Sequence, residues 1–293
     1  EDKFEELRGA DYWFIENRSD GMKGEELKDE FQFNGWLDDV PKTNRSKIIS
    51  LSIKVEGMRS YSDWNLGDIT HALTGVKIED VTELAVLKMD DFPTFSGAIS
   101  DDILDGFFAE INAKLAAFRT APIVREFVSP FMTRAVLIMQ EREPLLLLNA
   151  KRKLKGTRGY GPVDYSVSKN EIVILVTEAK NEDFRQGAAE NIAQIHSAVE
   201  HLEKKRKIDA TADRLRAVMY GIVTTGTEWM FIRWAGDSKN PTIELTPKFT
   251  FALNESAKSR VILEHIAGII EVQVASLDDT NKRIRIGGND DST

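Results

Sequence analysis

Residues 161–181 read GPVDYSVSKNEIVILVTEAKN, and this stretch predicts a β-hairpin. Two apolar runs, VDYSV and IVILV, flank the turn-like residues 168–170. A strand with five consecutive apolar residues is normally buried on both faces of a sheet. The second run nevertheless ends in Glu178 and Lys180, and the first run contains Asp164. Three ionisable side chains are therefore expected to converge at one end of two buried strands.

The hairpin lies within a longer alternation of predicted helices and strands. Apolar residues recur at helical spacing after Ser100, across residues 123–140 and 183–202, and from Asn254 onward, and strand-like runs lie between them. From about residue 100, the predicted order is α-α-β-β-β-α-β-β-β-α. Helices that alternate with strands in this way cover both sides of a mixed sheet, so the predicted fold class is α/β.

The first part of the chain has a different pattern. Residues 1–95 predict an additional α+β region, with a strand-like run at 31–39 and helical spacing at 79–89. A proline and a glycine within residues 91–97 interrupt regular elements. We therefore predict an accessory region of unknown role over residues 1–95 and a main domain over residues 96–293.

Charge is unevenly distributed along the 293 residues. The net charge is −9, and residues 1–40 carry 13 acidic and 5 basic side chains, a net of −8. The remainder is near neutral and can hold a local positive site, because charges are screened beyond about 8 Å at physiological salt. The chain contains no cysteine, which excludes disulfides, cysteine zinc sites and thiol nucleophiles and agrees with an intracellular protein. No apolar run has the length of a transmembrane helix, so no membrane association is expected.

The three charges of the hairpin suit metal-assisted chemistry. Glu178 and Lys180 are two residues apart, so their side chains point to one face of a strand. Asp164 lies across the turn, near the same level. Two neighbouring carboxylates raise each other's pKa unless a cation lies between them, and Mg²⁺ is typically held by one or two carboxylates, waters and a phosphate. The backbone carbonyl of Ala179 is a further candidate ligand. A structural ion pair of Lys180 with either carboxylate is the alternative.

These residues resemble the PD-(D/E)XK nuclease superfamily, which has the restriction-endonuclease-like fold. The motif is Pro162-Val163-Asp164 followed by Glu178-Ala179-Lys180, with Val163 as an extra residue between the proline and the aspartate. The resemblance covers roughly residues 100–235. It implies a restriction-endonuclease-like mixed sheet flanked by helices, and a phosphodiesterase that uses Mg²⁺ or Mn²⁺. Asp164 and Glu178 would hold the metal, and Lys180 would orient the water or stabilise the transition state.

The same resemblance implies two assisting side chains. Many members carry a glutamate on the helix before the core strands, for which Glu126 is our candidate, while Glu110, Glu141 and Glu143 remain alternatives. Many also carry a glutamine or tyrosine on the helix after the motif. At about 100° per residue, Gln194 lies at the flank of the apolar helix face, where it can reach the site. Gln186 would lie nearly opposite and face solvent.

A basic cluster precedes the hairpin and is a candidate nucleic-acid-binding surface. Its members are Lys151, Arg152, Lys153, Lys155 and Arg158. Lysine and arginine side chains bind phosphate backbones without reading sequence. A solvated basic face and a nuclear localisation signal are the alternative interpretations.

A finer resemblance extends over more of the chain. Gly-Pro-Val-Asp-Tyr, Val-Thr-Glu-Ala-Lys, Ala-x-x-Asn-Ile-Ala-Gln and the segment 220–231 are together similar to nuclease domains of Crinkler-type effectors of fungi and oomycetes. This resemblance implies action on DNA in a nucleus, including a host nucleus after secretion as an effector. We therefore predict an Mg²⁺-dependent endonuclease, with residues 1–95 as a region that can bind a protein partner. The alternative is a catalytically inactive nuclease-fold module that binds DNA or a host protein.

Overall fold

A computed structural model of the chain describes residues 12–17, 23–27, 30–39, 51–55, 58–118, 124–180, 183–208, 218–250, 252–253 and 255–287. The chain divides into two compact units, residues 1–58 and residues 59–293. The predicted boundary after residue 95 falls inside the second unit, because the short strands Arg59–Ser60 and Ala85–Val86 pair with strands of its large sheet. The predicted cap residue Asn254 lies outside the described residues.

The first unit contains a small antiparallel sheet and a helix. Strands β1 (Tyr12–Asn17), β2 (Lys23–Leu27) and β3 (Leu51–Val55) have the order β2-β1-β3. The strand-like run at 31–39 is a helix, α1 (Glu30–Asp39), so that prediction was wrong. Phe33 and Trp36 lie three residues apart on this helix, with ring centroids 6.2 Å apart, and the Phe33 ring lies 5.6 Å from that of Phe14. Aromatic packing at helical spacing therefore outweighs the β-propensity of these residues.

The described part of the second unit contains a mixed sheet of nine strands. Its strands are β4 (Arg59–Ser60), β5 (Ala85–Val86), β6 (Leu146–Lys155), β7 (Gly159–Lys169), β8 (Ile172–Ala179), β9 (Val218–Thr224), β10 (Glu228–Ala235), β11 (Thr242–Leu245) and β12 (Phe249–Thr250). The order is β4-β7-β8-β9-β10-β11-β5, with β6 paired to β7 and β12 paired to β10. β8 and β9 run parallel, and their long connection contains a helix, as parallel strands require.

Helices cover both faces of this sheet. They are α2 (Leu66–Thr74), α3 (Asp101–Ala117), α4 (Val124–Gln140), α5 (Phe184–Ile208) and α6 (Ser256–Gly287). Adjacent residues of β8 point to opposite faces: the Thr177 hydroxyl contacts Met132 of α4, whereas Glu178 contacts Gln194 of α5. The predicted mixed α/β class is confirmed. No helix in the described part of the chain is long and apolar enough to cross a membrane.

Two local predictions in this unit were wrong. Residues 79–89 do not form an α-helix, because Asp80 caps a single 3₁₀ turn, Val81–Glu83, and the chain then extends into β5. The strand expected over residues 243–253 is split into β11 and β12. Pro247 lies between the two pieces and has no N–H for a continuous ladder.

The β7–β8 hairpin turns later than the sequence suggested. Its turn is Asn170-Glu171, with φ of 51° and 67°, the positive values that a two-residue type I′ turn requires. A turn at residues 168–170 would have put Asp164 opposite the middle of β8. Between Val167 and Ser168 the register also shifts by one residue, a β-bulge. Beyond it Tyr165 pairs with Thr177, and the same register continued by one residue places Asp164 opposite Glu178.

Candidate active site

Asp164 is a buried carboxylate with three donors around it. Its side chain is 2% exposed. Oδ2 accepts a hydrogen bond from the backbone N–H of Ala179 at 2.9 Å. Oδ1 accepts from Nε of Arg125 at 2.8 Å and from Nζ of Lys151. Arg125 comes from α4 and Lys151 from β6, so helix and sheet both contribute positive charge to this aspartate.

Glu178 lies beside Asp164 at the end of β8 and is 7% exposed. Its Oε2 accepts a 2.7 Å hydrogen bond from Nε2 of Gln194, and its Oε1 lies 3.2 Å from Nζ of Lys180. Gln194 is fully buried and also accepts from Asn191 at 3.3 Å. Burial, together with the charge of Asp164, raises the pKa of Glu178 to about 7. Helical spacing thus predicted the glutamine that faces the site.

Lys180 lies between two carboxylates. Its Nζ is 2.7 Å from Oε1 of Glu190 on α5, in addition to the contact with Glu178. Burial lowers the pKa of Lys180, but the hydrogen bond to Glu190 and the charge of Glu178 outweigh it, so the pKa is raised overall. Lys180 is therefore held as an ammonium ion.

Gln186 supports Glu190 and is not the solvent-facing residue that the sequence suggested. Its Nε2 donates to Oε1 of Glu190 at 2.9 Å and to the backbone carbonyls of Ser62 and Trp64 at 3.1 and 3.0 Å. The segment around Trp64 packs beside α5 and covers this flank of the helix, which the hydrophobic pattern of α5 alone could not indicate.

The predicted assisting glutamate has a different partner. Glu126 lies in the first turn of α4, and its Oε2 is 2.7 Å from Nζ of Lys114. It is the preceding residue, Arg125, that contacts Asp164. Two of the alternatives also pair elsewhere, Glu110 with Arg134 at 3.6 Å and Glu143 with Lys169 at 2.8 Å.

The basic cluster is divided between several roles. Lys151 contacts Asp164, and Arg152 donates to the carbonyl of Glu171 at 3.1 Å. Lys153 and Lys155 are exposed along β6. Arg158 is half-buried, and its carbonyl accepts a 3.1 Å hydrogen bond from Nε1 of Trp64. The cluster therefore supplies one side chain, that of Lys151, to Asp164, and others lie on the surface.

The donor set at this centre fits a divalent cation held by two carboxylates. Asp164 and Glu178 are adjacent, and burial, followed by the charge of Asp164, raises the pKa of Glu178. Mg²⁺ commonly takes one or two protein carboxylates and completes its shell with water and phosphate. Within the described ranges no group of three or more His, Asp or Glu side chains could hold a metal ion, so a site built from protein ligands alone does not fit.

The raised pKa of Glu178 predicts how the stability of the metal-free protein depends on pH. A group whose pKa is higher in the folded state contributes stability at pH values below its unfolded pKa, and this contribution is lost as the pH rises through the folded pKa. In EDTA, we expect the stability of wild type relative to Glu178→Gln to fall between about pH 4.5 and pH 7, by an amount on the order of 3 kcal/mol.

Denaturant unfolding of both proteins across this pH range measures that difference. Glu171→Gln, which removes an exposed carboxylate from the same hairpin, is the matched control. A difference between wild type and Glu178→Gln that does not change with pH would contradict the raised pKa.

The sequence patterns did not identify two residues of the site, Glu190 and Arg125. Glu190 is four residues before Gln194 and therefore lies on the same side of α5, a signal that helical spacing offered. Arg125 carried a weaker signal, since it only adjoins the candidate Glu126. Its approach to Asp164 depends on how α4 packs, which residue spacing does not determine.

Comparisons with known proteins give one distant relative. No family model matches the chain. Crinkler effector protein 1 of Rhizophagus irregularis is 25% identical over 226 residues, which cover 73% of this chain and 46% of that protein. The chain thus spans less than half the length of the curated relative. This similarity supports a distant relationship with a Crinkler-like family.

Proposed function

We propose that this protein is a metal-dependent nuclease that hydrolyses phosphodiester bonds, with DNA as its substrate. The observation that carries the proposal is the convergence of Asp164, Glu178 and Lys180 at the ends of two paired strands, with both carboxylates buried. Two carboxylates this close together disfavour each other's ionised form, and a cation bound to both would stabilise it.

Each side chain has a defined part in the proposed mechanism. Asp164 and Glu178 would hold Mg²⁺ or Mn²⁺, which when bound supplies a water of lowered pKa and stabilises charge on the phosphate. Gln194 fixes the orientation of Glu178 through its 2.7 Å hydrogen bond. Lys180 contributes a permanent positive charge beside Glu178, because its raised pKa disfavours a role as general base. Glu190 keeps the ammonium group of Lys180 in place.

The finer assignments belong to the same proposal. The order of helices and strands and the motif Asp164, Glu178 and Lys180 support membership of the PD-(D/E)XK nucleases. The similarity to a protein named as a Crinkler effector supports a distant relationship with that type of protein. A nuclease domain that acts on DNA in a nucleus is the finer part of the proposal, and it rests on the resemblance of the sequence motifs. Lys153 and Lys155, exposed on β6, are the proposed contacts to the phosphate backbone. Residues 1–58, the separate unit within the predicted region 1–95, are the proposed partner-binding region.

Nicking of supercoiled plasmid tests this function. Wild type is incubated with plasmid in Mg²⁺, in Mn²⁺ and in EDTA, and Asp164→Asn, prepared in the same way, is the blank for contaminating nucleases. We expect nicking with either metal and none in EDTA or with the variant. Cleavage that persists in EDTA, or in the variant, would refute the proposed site.

One observation favours a second function, a module that binds nucleic acid without cutting it. Both oxygens of Asp164 already accept hydrogen bonds, from Ala179, Arg125 and Lys151, so this carboxylate is satisfied within the protein. Gel-shift titrations alongside the nicking assay separate the two functions. Binding of DNA with no cleavage in any metal would support the second.

A further inference from the structure

Lys151 has an unusual backbone for a residue within a strand. Its φ is 53°, in the left-handed region that non-glycine residues rarely adopt. Ala150 pairs with Tyr165 and Arg152 with Val163, so Lys151 lies level with Asp164 on the neighbouring strand. Strained backbone of this kind persists where the surrounding structure imposes it, and it is concentrated at functional sites. The strain at Lys151 therefore marks its contact with Asp164 as a specific feature of the site.

Two cations share one oxygen of this aspartate. Lys151 and Arg125 both donate to Oδ1 of Asp164. Their side chains are 48% and 47% exposed, whereas that of Asp164 is 2% exposed. Long side chains that reach a buried carboxylate from solvent can leave it again by rotating about their own bonds. The carboxylate is therefore buried, whereas the side chains of its two partners reach solvent.

The charges of the centre balance without any added ion. With all three carboxylates ionised, Asp164, Glu178 and Glu190 contribute three negative charges, and Lys151, Arg125 and Lys180 contribute three positive ones. A divalent cation at Asp164 would bring an excess of positive charge and would compete with Lys151 and Arg125 for Oδ1. The two side chains would then be free beside a metal ion, which is where the phosphates of a nucleic acid would approach.

We propose that Lys151 and Arg125 are exchangeable counterions that occupy Asp164 until a divalent metal replaces them, and that they then bind substrate phosphate. This inference rests on the proposed function, because it assumes the same metal position. It makes metal and nucleic acid bind cooperatively, and by linkage each increases the affinity for the other by the same factor. Arginine and lysine are the residues suited to this exchange, since both pair with carboxylates and with phosphates.

Titration of Mn²⁺ alone into the protein tests the exchange without any substrate. Lys151→Asn removes the ammonium group and tolerates the left-handed backbone. We expect it to bind Mn²⁺ about threefold to tenfold more tightly than wild type by calorimetry, since it loses a competing ion pair. Arg125→Gln, on a different element, should change the affinity in the same direction. Lys88→Asn, at an exposed lysine of the same unit, is the charge-matched control.

Anisotropy of a labelled DNA duplex tests the second half of the proposal. In wild type, Ca²⁺, which prefers oxygen ligands like those of Mg²⁺, should strengthen DNA binding relative to EDTA. In Lys151→Asn this gain should shrink by about threefold or more. Thermal unfolding confirms that each variant is folded.

The outcomes separate this inference from the proposed nuclease activity. Tighter Mn²⁺ binding by both variants without plasmid cleavage would support the exchange and refute the nuclease. Cleavage by wild type with equal or weaker Mn²⁺ binding in both variants would overturn the exchange alone. Absence of Mn²⁺ binding to wild type would overturn it as well.

Discussion

Lys180→Ala is expected to lower the rate of metal-dependent DNA cleavage by about 10²–10³-fold while metal binding persists. The ammonium group lies 3.2 Å from Glu178 and 2.7 Å from Glu190, and its raised pKa keeps it charged. It does not contact Asp164 in the structure, so the two proposed metal ligands and the hydrogen bond from Gln194 to Glu178 remain in the variant. The variant should therefore bind the metal normally and be slow in the cleavage step.

Single-turnover cleavage and Mn²⁺ calorimetry, measured on the same preparations, check this prediction. Lys180→Arg keeps a positive charge and should recover part of the lost rate. Lys258→Ala, at an exposed lysine of α6 that pairs with Glu255 just before the helix, is the matched control. A parallel loss of metal affinity and cleavage in Lys180→Ala would argue that the lysine holds the carboxylates together and does not act on the reacting phosphate.

Trp229→Ala is expected to reduce the free energy of unfolding by about 3–5 kcal/mol. The Trp229 side chain is fully buried, and its ring centroid lies 4.7 Å from that of Phe131 on α4. Its Nε1 donates to the carbonyl of Gly226 at 3.0 Å, in a turn where the φ of 85° suits glycine. The substitution would remove a large ring where α4 packs on the sheet and leave that carbonyl without its donor.

Denaturant unfolding gives the free-energy difference. Leu147→Ala, at a residue that is 57% exposed on β6, is the control and should change stability by less than about 0.5 kcal/mol. Since α4 also carries Arg125, partial loosening of this helix should weaken the contact with Asp164. A loss below about 1 kcal/mol for Trp229→Ala would contradict the packing of α4 against β10.

The local pattern of apolar and polar residues predicts much of the fold around the site. Apolar runs predicted the β7–β8 hairpin, and the helical spacing of α5 placed Gln194 toward Glu178. These predictions succeeded because side-chain period depends only on the element type. The contacts of Arg125 and Gln186 could not be predicted in this way. Each depends on a segment distant in sequence, α4 for Arg125 and the chain around Trp64 for Gln186.

The position of the hairpin turn also could not be predicted from the local sequence pattern. Ser168, Lys169 and Asn170 all resemble turn residues, yet Ser168 and Lys169 belong to β7. Lys169 is buried and lies 2.8 Å from both Glu143 and Asp278, so ion pairs from α6 and from the segment after α4 hold it in the strand. Such tertiary partners override the preference of a polar residue for a turn.

The bulge in the β7–β8 hairpin decides which residues of the two strands face each other. Across a two-residue turn, facing residues differ by odd numbers, as Lys169 and Ile172 differ by 3 and Ser168 and Val173 by 5. Asp164 and Glu178 differ by 14, so an undistorted hairpin with this turn could never bring them face to face. One extra residue in one strand converts odd separations into even ones. Insertion or deletion of a single residue between the two carboxylates would therefore send one of them to the opposite face of the sheet, whereas a change of two residues could preserve the pair.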